Sequence, residues 1–397
     1  MPRLLLLRCC VSFTAVIKFS HNRFSVEELM AKISNVGYDI NHTQKSIVNL
    51  GCSTSWRMWL ISACALLVIL QSSLTDSFRS LILAFIAVIF AIMTELLFLV
   101  KSGKLTLLRD GSVVASAFVF VLFLPNMISP VYAAAGSIFA IAVIKHSFGG
   151  LGSNWLNPAA GGWLFVRLSW PTVFEKALEG SPLSVLGENV AKGFINYDGL
   201  PLEILKINNS YMFSQSSFFE THVRPFLNNT VFSFLGIELP ASYMNLFANT
   251  HPGIIADRGI PMLIFGAILI IAFKISRSYV PVIWLAIFAF FTWMTGAIPF
   301  GSFPRGQGFW KGDILFTFLT GGTLASAFIL ASDPATSAKS IWLVIVSAAV
   351  GGFFAWLLRF PGSEPFGAIF SVVIINSLLP VVSNIVRTWP FTKGTTS

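Results

Sequence analysis

The sequence predicts an all-α polytopic membrane protein of about ten transmembrane helices, arranged as an inverted five-plus-five repeat with broken helices. Three observations carry this expectation. Only 11% of the 397 residues are charged and 55% are hydrophobic, where soluble domains carry roughly 25% charged residues; mean hydropathy is +0.77. Apolar runs approach the roughly 20 residues that a helix needs to cross a hydrocarbon core of about 30 Å. Lysine and arginine gather in the N-terminal arm and in the loops after alternate apolar runs, which is the positive-inside pattern. The 39 phenylalanines suit lipid contact and helix packing.

Each element follows from its own stretch. Residues 1–56 form a polar, basic arm with weak helical character over Ser25–Val36. Met1–Val16 is apolar but broken by Arg3 and Arg8, with no small-residue cleavage site behind it, so no signal peptide is expected. Residues 57–173 hold the first five spans. Trp56 and Trp59 open the first, which runs to Leu74, and a turn at Thr75–Arg79 leads to the second, Ser80–Val100. After the basic loop Lys101–Asp110 come the third, Gly111–Leu124, stopped by Pro125, and the fourth, Val131–Ile144. A glycine-rich loop precedes the fifth, Leu156–Val173. Residues 174–258 are polar and lack a span-length apolar run. The rhythm returns over residues 259–386 with Ile260–Phe273, Val280–Pro299, Ile314–Ala331, Ile341–Leu358 and Phe366–Ile385, leaving a tail at 387–397.

Charge fixes the orientation. Arg57, Lys101, Lys104, Arg109, Lys145, Lys274, Arg277 and Lys339 join the basic residues of both termini on one side, while the short loops of the other side hold only Arg79, Arg305, Lys311 and Arg359. Both termini are therefore expected in the cytoplasm and the 174–258 loop outside. The net charge of +9 reads as topology and not as nucleic-acid binding, because of where the charges lie. Cys9, Cys10, Cys52 and Cys64 form no CxxC and have no histidine at ligand spacing, so neither a disulfide framework nor a metal site is expected. Weak echoes suggest the inverted repeat: Asp110-Gly111 before span three against Gly312-Asp313 before span eight, and Asn157-Pro158 opening span five against Glu364-Pro365 opening span ten.

Three segments carry chemistry. In Phe148–Gly162, Gly149, Gly150 and Gly152 allow close backbone approach or positive φ, Asn154 and Asn157 can bond freed backbone groups, and Pro158 suits a first helical turn. Irregular backbone survives in lipid only where protein or water satisfies it, so a re-entrant or ligand-lining element is expected, although a plain turn would use the same residues. In Ala331–Ser337, Asp333 before Pro334 stops a helix, and with Thr336 and Ser337 it can cap the next helix start or face a cation or a flavin polar group. Asp110 caps span three, and Glu95 is the one acid well within an apolar run. Both are ion-pathway candidates. Glu95 lies close enough to Lys101 to be solvated at the interface instead.

In this order the segments resemble the RnfD/NqrB family, membrane subunits of the Rnf ferredoxin:NAD oxidoreductase complex and of the sodium-translocating NADH:quinone oxidoreductase. Its pattern is an Asp/Glu-Gly segment before span three, a Gly-Gly-Leu-Gly-x-Asn-x-x-Asn-Pro-Ala loop and a Thr/Ser-Asp-Pro-x-x-Ser motif; these stand here as Asp110-Gly111-Ser112, Gly149–Ala159 and Ser332–Ser337. Asn249–Gly253 is similar to a further family stretch, and the likeness covers residues 80–172 and 245–385. The resemblance implies a flavin mononucleotide (FMN) joined by a phosphoester to an outer hydroxyl, with Ser181 aligned to the attachment point by the Pro-Leu that follows it, though the usual lead-in to that residue is absent. It also implies a second, non-covalent flavin such as riboflavin, cradled by Gly150, Gly152, Asn154, Asn157, Asp333 and Thr336. Implied partners are the lipid bilayer, the other subunits of an Rnf or Nqr complex and the flavin transferase that would modify Ser181. The implied location is a bacterial inner membrane.

The implied function is that of a subunit of an ion-translocating oxidoreductase, relaying electrons through bound flavin while Na⁺ or H⁺ moves, with no residue making bonds to a substrate. A five-plus-five inverted repeat equally suits a passive channel of the urea or ammonium type. The choice between the Rnf and Nqr arms stays open at this point.

Overall fold

The computed structural model describes residues 53–178 (apart from 75, 77, 104, 148, 149, 151–153 and 155), 219–235, 244, 247, 253–295, and 314–388 without 339 and 363. The described residues are mostly helical and contain no strand. The arm over 1–52, the segment holding Ser181, and residues 296–313 with the Gly312-Asp313 echo lie outside them.

Helix α1 (Thr54–Ser73) and helix α2 (Arg79–Ser102) are long and apolar enough to cross a membrane. Their turn is closed by the buried Asp76, whose carboxylate accepts the Ser80 backbone N–H at 3.1 Å. On α2, Ile82, Phe85, Ile89, Met93 and Leu97 are all exposed at helical spacing. An apolar stripe turned outward, opposite a buried face of Leu83, Ala84, Ala87 and Ala91, is what lipid as the solvent produces. Gly103 ends α2 at φ 69°, its N–H reaching the Leu99 and Val100 carbonyls.

Helix α3 (Ser112–Leu122) starts behind Gly111 at φ 74°, with Asp110 Oδ1 accepting the Ser112 N–H at 2.8 Å, the capping role expected of Asp110. It has 11 residues, which span about 16 Å and so roughly half the hydrocarbon core. The chain then leaves the helix: Pro125 forms a β-bridge with Ile254, the Asn126 N–H donates to the Gly253 carbonyl (3.1 Å), and the Ile255 N–H donates to the Leu124 carbonyl (3.0 Å). Two non-helical segments thus satisfy one another inside protein, the condition under which lipid tolerates them.

Helix α4 (Pro130–Phe139) passes into a π-helical turn, Ala140–Lys145, before the glycine-rich loop. Helix α5 (Pro158–Ser169) follows, and a break at Trp170 leads to α6 (Pro171–Lys176). After the short α7 (Ile255–Arg258) come α8 (Ile260–Ala272) and α9 (Tyr279–Thr295). The expected continuous span Ile314–Ala331 is instead two pieces: α10 (Ile314–Leu319), and α11 (Thr323–Ala325) with a π turn over Ser326–Leu330. Gly321 and Gly322 sit between them at φ 72° and 66°, backbone that L side chains rarely adopt, and this stops the helix. Helices α12 (Ile341–Arg359) and α13 (Gly367–Thr388) both contain membrane-length apolar spans.

One apolar core joins α1, α3 and α5 with Ile254, Ile255, Leu330 and Phe366, and a second joins α9, α12 and α13 around Trp284 and Phe288. Leu124 and Ile254 at the bridge and Leu156 at the turn that opens α5 are buried in the first core.

Candidate functional site

The asparagine–proline and aspartate–proline interruptions meet. Asn157 is extended just ahead of Pro158, so its side chain faces the start of α5, where Oδ1 caps the helix by accepting the Ala159 N–H at 2.9 Å. The Nδ2 of Asn157 donates to Asp333 Oδ2 at 2.7 Å. Asp333 Oδ1 accepts the Ala335 N–H at 3.0 Å, so this carboxylate closes its own tight turn. It does not cap the next helix: α12 begins behind Ser340. Asp333 lies in the loop ahead of α12, where burial pushes its carboxyl up from the usual range while the Ala335 N–H and the Asn157 amide pull it back.

Asn154, Asn157, Pro158, Ser332, Asp333 and the buried Thr336 line a cavity of about 60 Å³ around this contact. That holds an ion or about two waters. Met58, Ile61, Lys145, Ile275, Pro334 and Ala335 line both this cavity and a neighbouring cleft of about 890 Å³. The loop between them is held by Asn154: with its amide turned so that the nitrogen faces acceptors, it donates to the Gly150 carbonyl at 2.9 Å and to the Lys145 carbonyl at 3.1 Å. Gly150 sits at φ 95° with open space where a Cβ would be, so its conformation and not its size requires glycine. Gly152 and Ser181 lie outside the described residues.

The cleft has a charged floor. Glu95 is not solvated beside Lys101 but buried, at 3% exposure, with Oε1 2.9 Å from Lys145 Nζ and Oε2 2.6 Å from His146 Nε2. Lys145 also donates to Ser112 Oγ at 2.9 Å, and the Ser112 hydroxyl donates to Asp110 Oδ1 at 2.7 Å. The π turn at Ala140–Lys145 shifts the register of α4 by a residue, and Lys145 ends it turned inward on Glu95. Proximity in sequence favoured Lys101; tertiary packing supplied Lys145, fifty residues away. The Phe98 ring stacks on His146, centroids 4.5 Å apart and 3° from parallel. Among the described residues no cluster of His, Cys, Asp or Glu is placed to hold a metal ion.

A second polar knot escaped the sequence reading. Asp257 and Arg359, 5% and 1% exposed, flank the break between α10 and α11. The Asp257 carboxylate accepts the N–H groups of Gly321 (2.7 Å) and Gly322 (2.8 Å), while Arg359 reaches Thr317, Thr320 and Thr323. The signal was a Gly-Gly pair flanked by threonines inside an apolar run.

The sequence model of the NQR2, RnfD, RnfE family matches residues 42–392. The chain is 29% identical over 308 residues (78% of this chain, 82% of the relative) to a subunit of the proton-translocating ferredoxin:NAD(+) oxidoreductase complex of Clostridium ljungdahlii. It is 30% identical over 307 residues (75% and 80%) to a subunit of the ion-translocating oxidoreductase complex of Alcanivorax borkumensis. The subunit of the same name from Shewanella denitrificans is 26% identical over 374 residues, 89% of this chain and 97% of its own length.

Proposed function

The chain belongs to the NQR2, RnfD, RnfE family, and on that premise we propose that it is the multi-pass membrane subunit of an Rnf-type ion-translocating electron-transport complex that holds a flavin between its two interrupted segments. The observation that carries the reading is the Asn157–Asp333 hydrogen bond, which joins the family's two loop motifs beside one cavity. The names of the relatives supply the Rnf arm and the class of reaction, electron transfer from ferredoxin to NAD⁺ in the complex as a whole.

The residues present fit a flavin. The cleft of about 890 Å³ is within the range of small-molecule sites, roughly 300–1,000 Å³. The stacked Phe98–His146 pair lines it and offers an aromatic surface. A bound flavin would supply one- and two-electron transfer. In this reading the flavin lies in the cleft, Gly150 lets the backbone approach it, and Asn154, Asn157, Asp333 and Thr336, which line the adjoining small cavity, shape its inner end. Glu95, Lys145 and Asp110 form the charged floor where Na⁺ or H⁺ enters; the buried Glu95–Lys145 pair supports a controlled path, since an isolated charge at that depth is costly. Ser181 is the proposed FMN attachment point, modified by a flavin transferase. The remaining subunits, a bacterial inner membrane and cytoplasmic termini complete the setting. The close packing of the first apolar helices of the two halves, α1 and the shorter α8, supports the inverted repeat.

The test is to purify the full chain from a host that expresses the complex, then measure flavin after denaturation. Non-covalent flavin in the supernatant should fall in Asn157→Ala and Asp333→Ala, and fluorescence that stays with the polypeptide should vanish in Ser181→Ala. Absence of flavin from both fractions refutes the electron-carrier reading, and solute flux through the chain alone would then favour the channel.

A further inference from the structure

The knot at Arg359 plays no part in holding flavin, and its geometry is unlike that of a site built for a guanidinium. We infer that the oxygens around Arg359 form a cage for a small monovalent cation, occupied in this chain by its own arginine. The guanidinium Nη1 carries two protons yet faces three oxygens: the Thr317 and Thr320 carbonyls, each at 2.9 Å, and Thr323 Oγ1 at 2.7 Å. The Thr320 hydroxyl adds a fourth oxygen, on Nη2. Meanwhile the Arg359 Nε, fully buried, has no partner. Recognition of the planar fork would spread acceptors over its five N–H groups. Here they converge on one end and outnumber the Nη1 protons, as oxygens do around a hard cation.

The surroundings supply the charge that such a cage needs. Two of the oxygens are carbonyls at the end of α10 (Ile314–Leu319) and in the break behind it, where a helix carries the negative end of its dipole. Asp257, seated on the Gly321 and Gly322 N–H groups, turns its carboxyl toward the same break and acts on the guanidinium through space. Thr323 Oγ1 lies 2.8 Å from both the Thr317 and Thr320 carbonyls and donates its own proton to them, which leaves its lone pairs for the cation. The backbone closes on the cage as well: a Cβ at Gly321 would lie 2.9 Å from Nη1 and 2.6 Å from the Pro365 carbonyl. With arginine in place the cation here is tethered, and a free one cannot exchange.

The inference is independent of the flavin reading and is tested on the full chain in detergent by thermal melting. Arg359→Ala should melt well below wild type in tetramethylammonium chloride, and millimolar guanidinium, ammonium, sodium or potassium at equal ionic strength should restore more than half of the loss. Wild type should show no such response. Arg359→Lys should hold most of the wild-type melting temperature, because a point charge satisfies the cage, and Arg359→Gln should not. An Ala variant that melts with wild type in tetramethylammonium chloride, or one restored by guanidinium alone or by no cation, overturns the inference; should the Ala variant fail to accumulate, a Lys variant no more stable than the Gln variant overturns it equally.

Discussion

Asn157→Asp turns the contact between the two motifs into a measurable proton. In the wild type the Asn157 amide nitrogen stands 2.7 Å from Asp333 Oδ2; the substitution puts a carboxylate oxygen there and sets acceptor against acceptor. Two unit charges about 4 Å apart repel by roughly 4 kcal/mol at an effective dielectric of about 20, so the pair folds only when it shares one proton. The new group thus has a raised pKa in the folded protein. Its contribution is harmless at acid pH and turns unfavourable as pH rises. The helix cap survives, since the new side chain can still accept the Ala159 N–H. Asn157→Ser is the control: it keeps a cap and loses the bond to Asp333, worth roughly 1.5–3 kcal/mol for a charged acceptor, without adding charge. Melting curves of the full chain in detergent from pH 5 to pH 8 should show Asn157→Asp losing on the order of 5 °C relative to Asn157→Ser as pH rises. Parallel curves would mean that the 2.7 Å contact does not exist in solution, and the shared cavity would lose its basis.

Three further outcomes follow from named contacts. Asp333 carries its own pH dependence: burial raises its folded pKa, so wild-type stability declines as pH rises from the ordinary carboxylate range to that raised value, and Asp333→Asn should flatten this slope in the same melts. Lys145→Met leaves Glu95 buried without its ammonium partner and should cost about 3–5 kcal/mol; adding Glu95→Gln should recover most of the lost melting temperature, and an additive double variant would rule out the pairing. Gly321→Ala combines φ 72° with a Cβ 2.6 Å from the Pro365 carbonyl, so it should lose well over the ~1–2 kcal/mol of left-handed strain, whereas Gly150→Ala, with open space at its Cβ, should lose only that strain; comparison of the two yields of folded protein checks this.

Hydropathy made the long helices legible, because a lipid-facing span needs little beyond apolar length: Thr54–Ser73, Arg79–Ser102, Ile341–Arg359 and the long apolar part of Gly367–Thr388 lie close to where the runs placed them. The proline motifs at Asn157 and Asp333 were legible as interruptions for a local reason, since each proline forbids what the preceding residue would need to continue a helix. Their contact with one another was not, because 176 residues separate them. The break at Gly321-Gly322 shows the limit most plainly. Gly351-Gly352 is the same dipeptide in an apolar run and stays within unbroken α12, packed on Trp284. What differs is distant: Asp257 and Arg359 stand ready to receive the groups that unwinding frees, and no window of the sequence contains both them and the glycines. Glu95 was misread for the same reason, its partners arriving from another helix.

The bridge between Pro125 and Ile254 has a consequence for how the chain is made. The Leu124 carbonyl waits for the Ile255 amide, about 130 residues later in synthesis, and ribosomes add residues at roughly 5–20 per second. For several seconds at least, the first five helices must therefore keep this stretch wet or shielded by insertion machinery, and they reach their final packing only when the second half arrives.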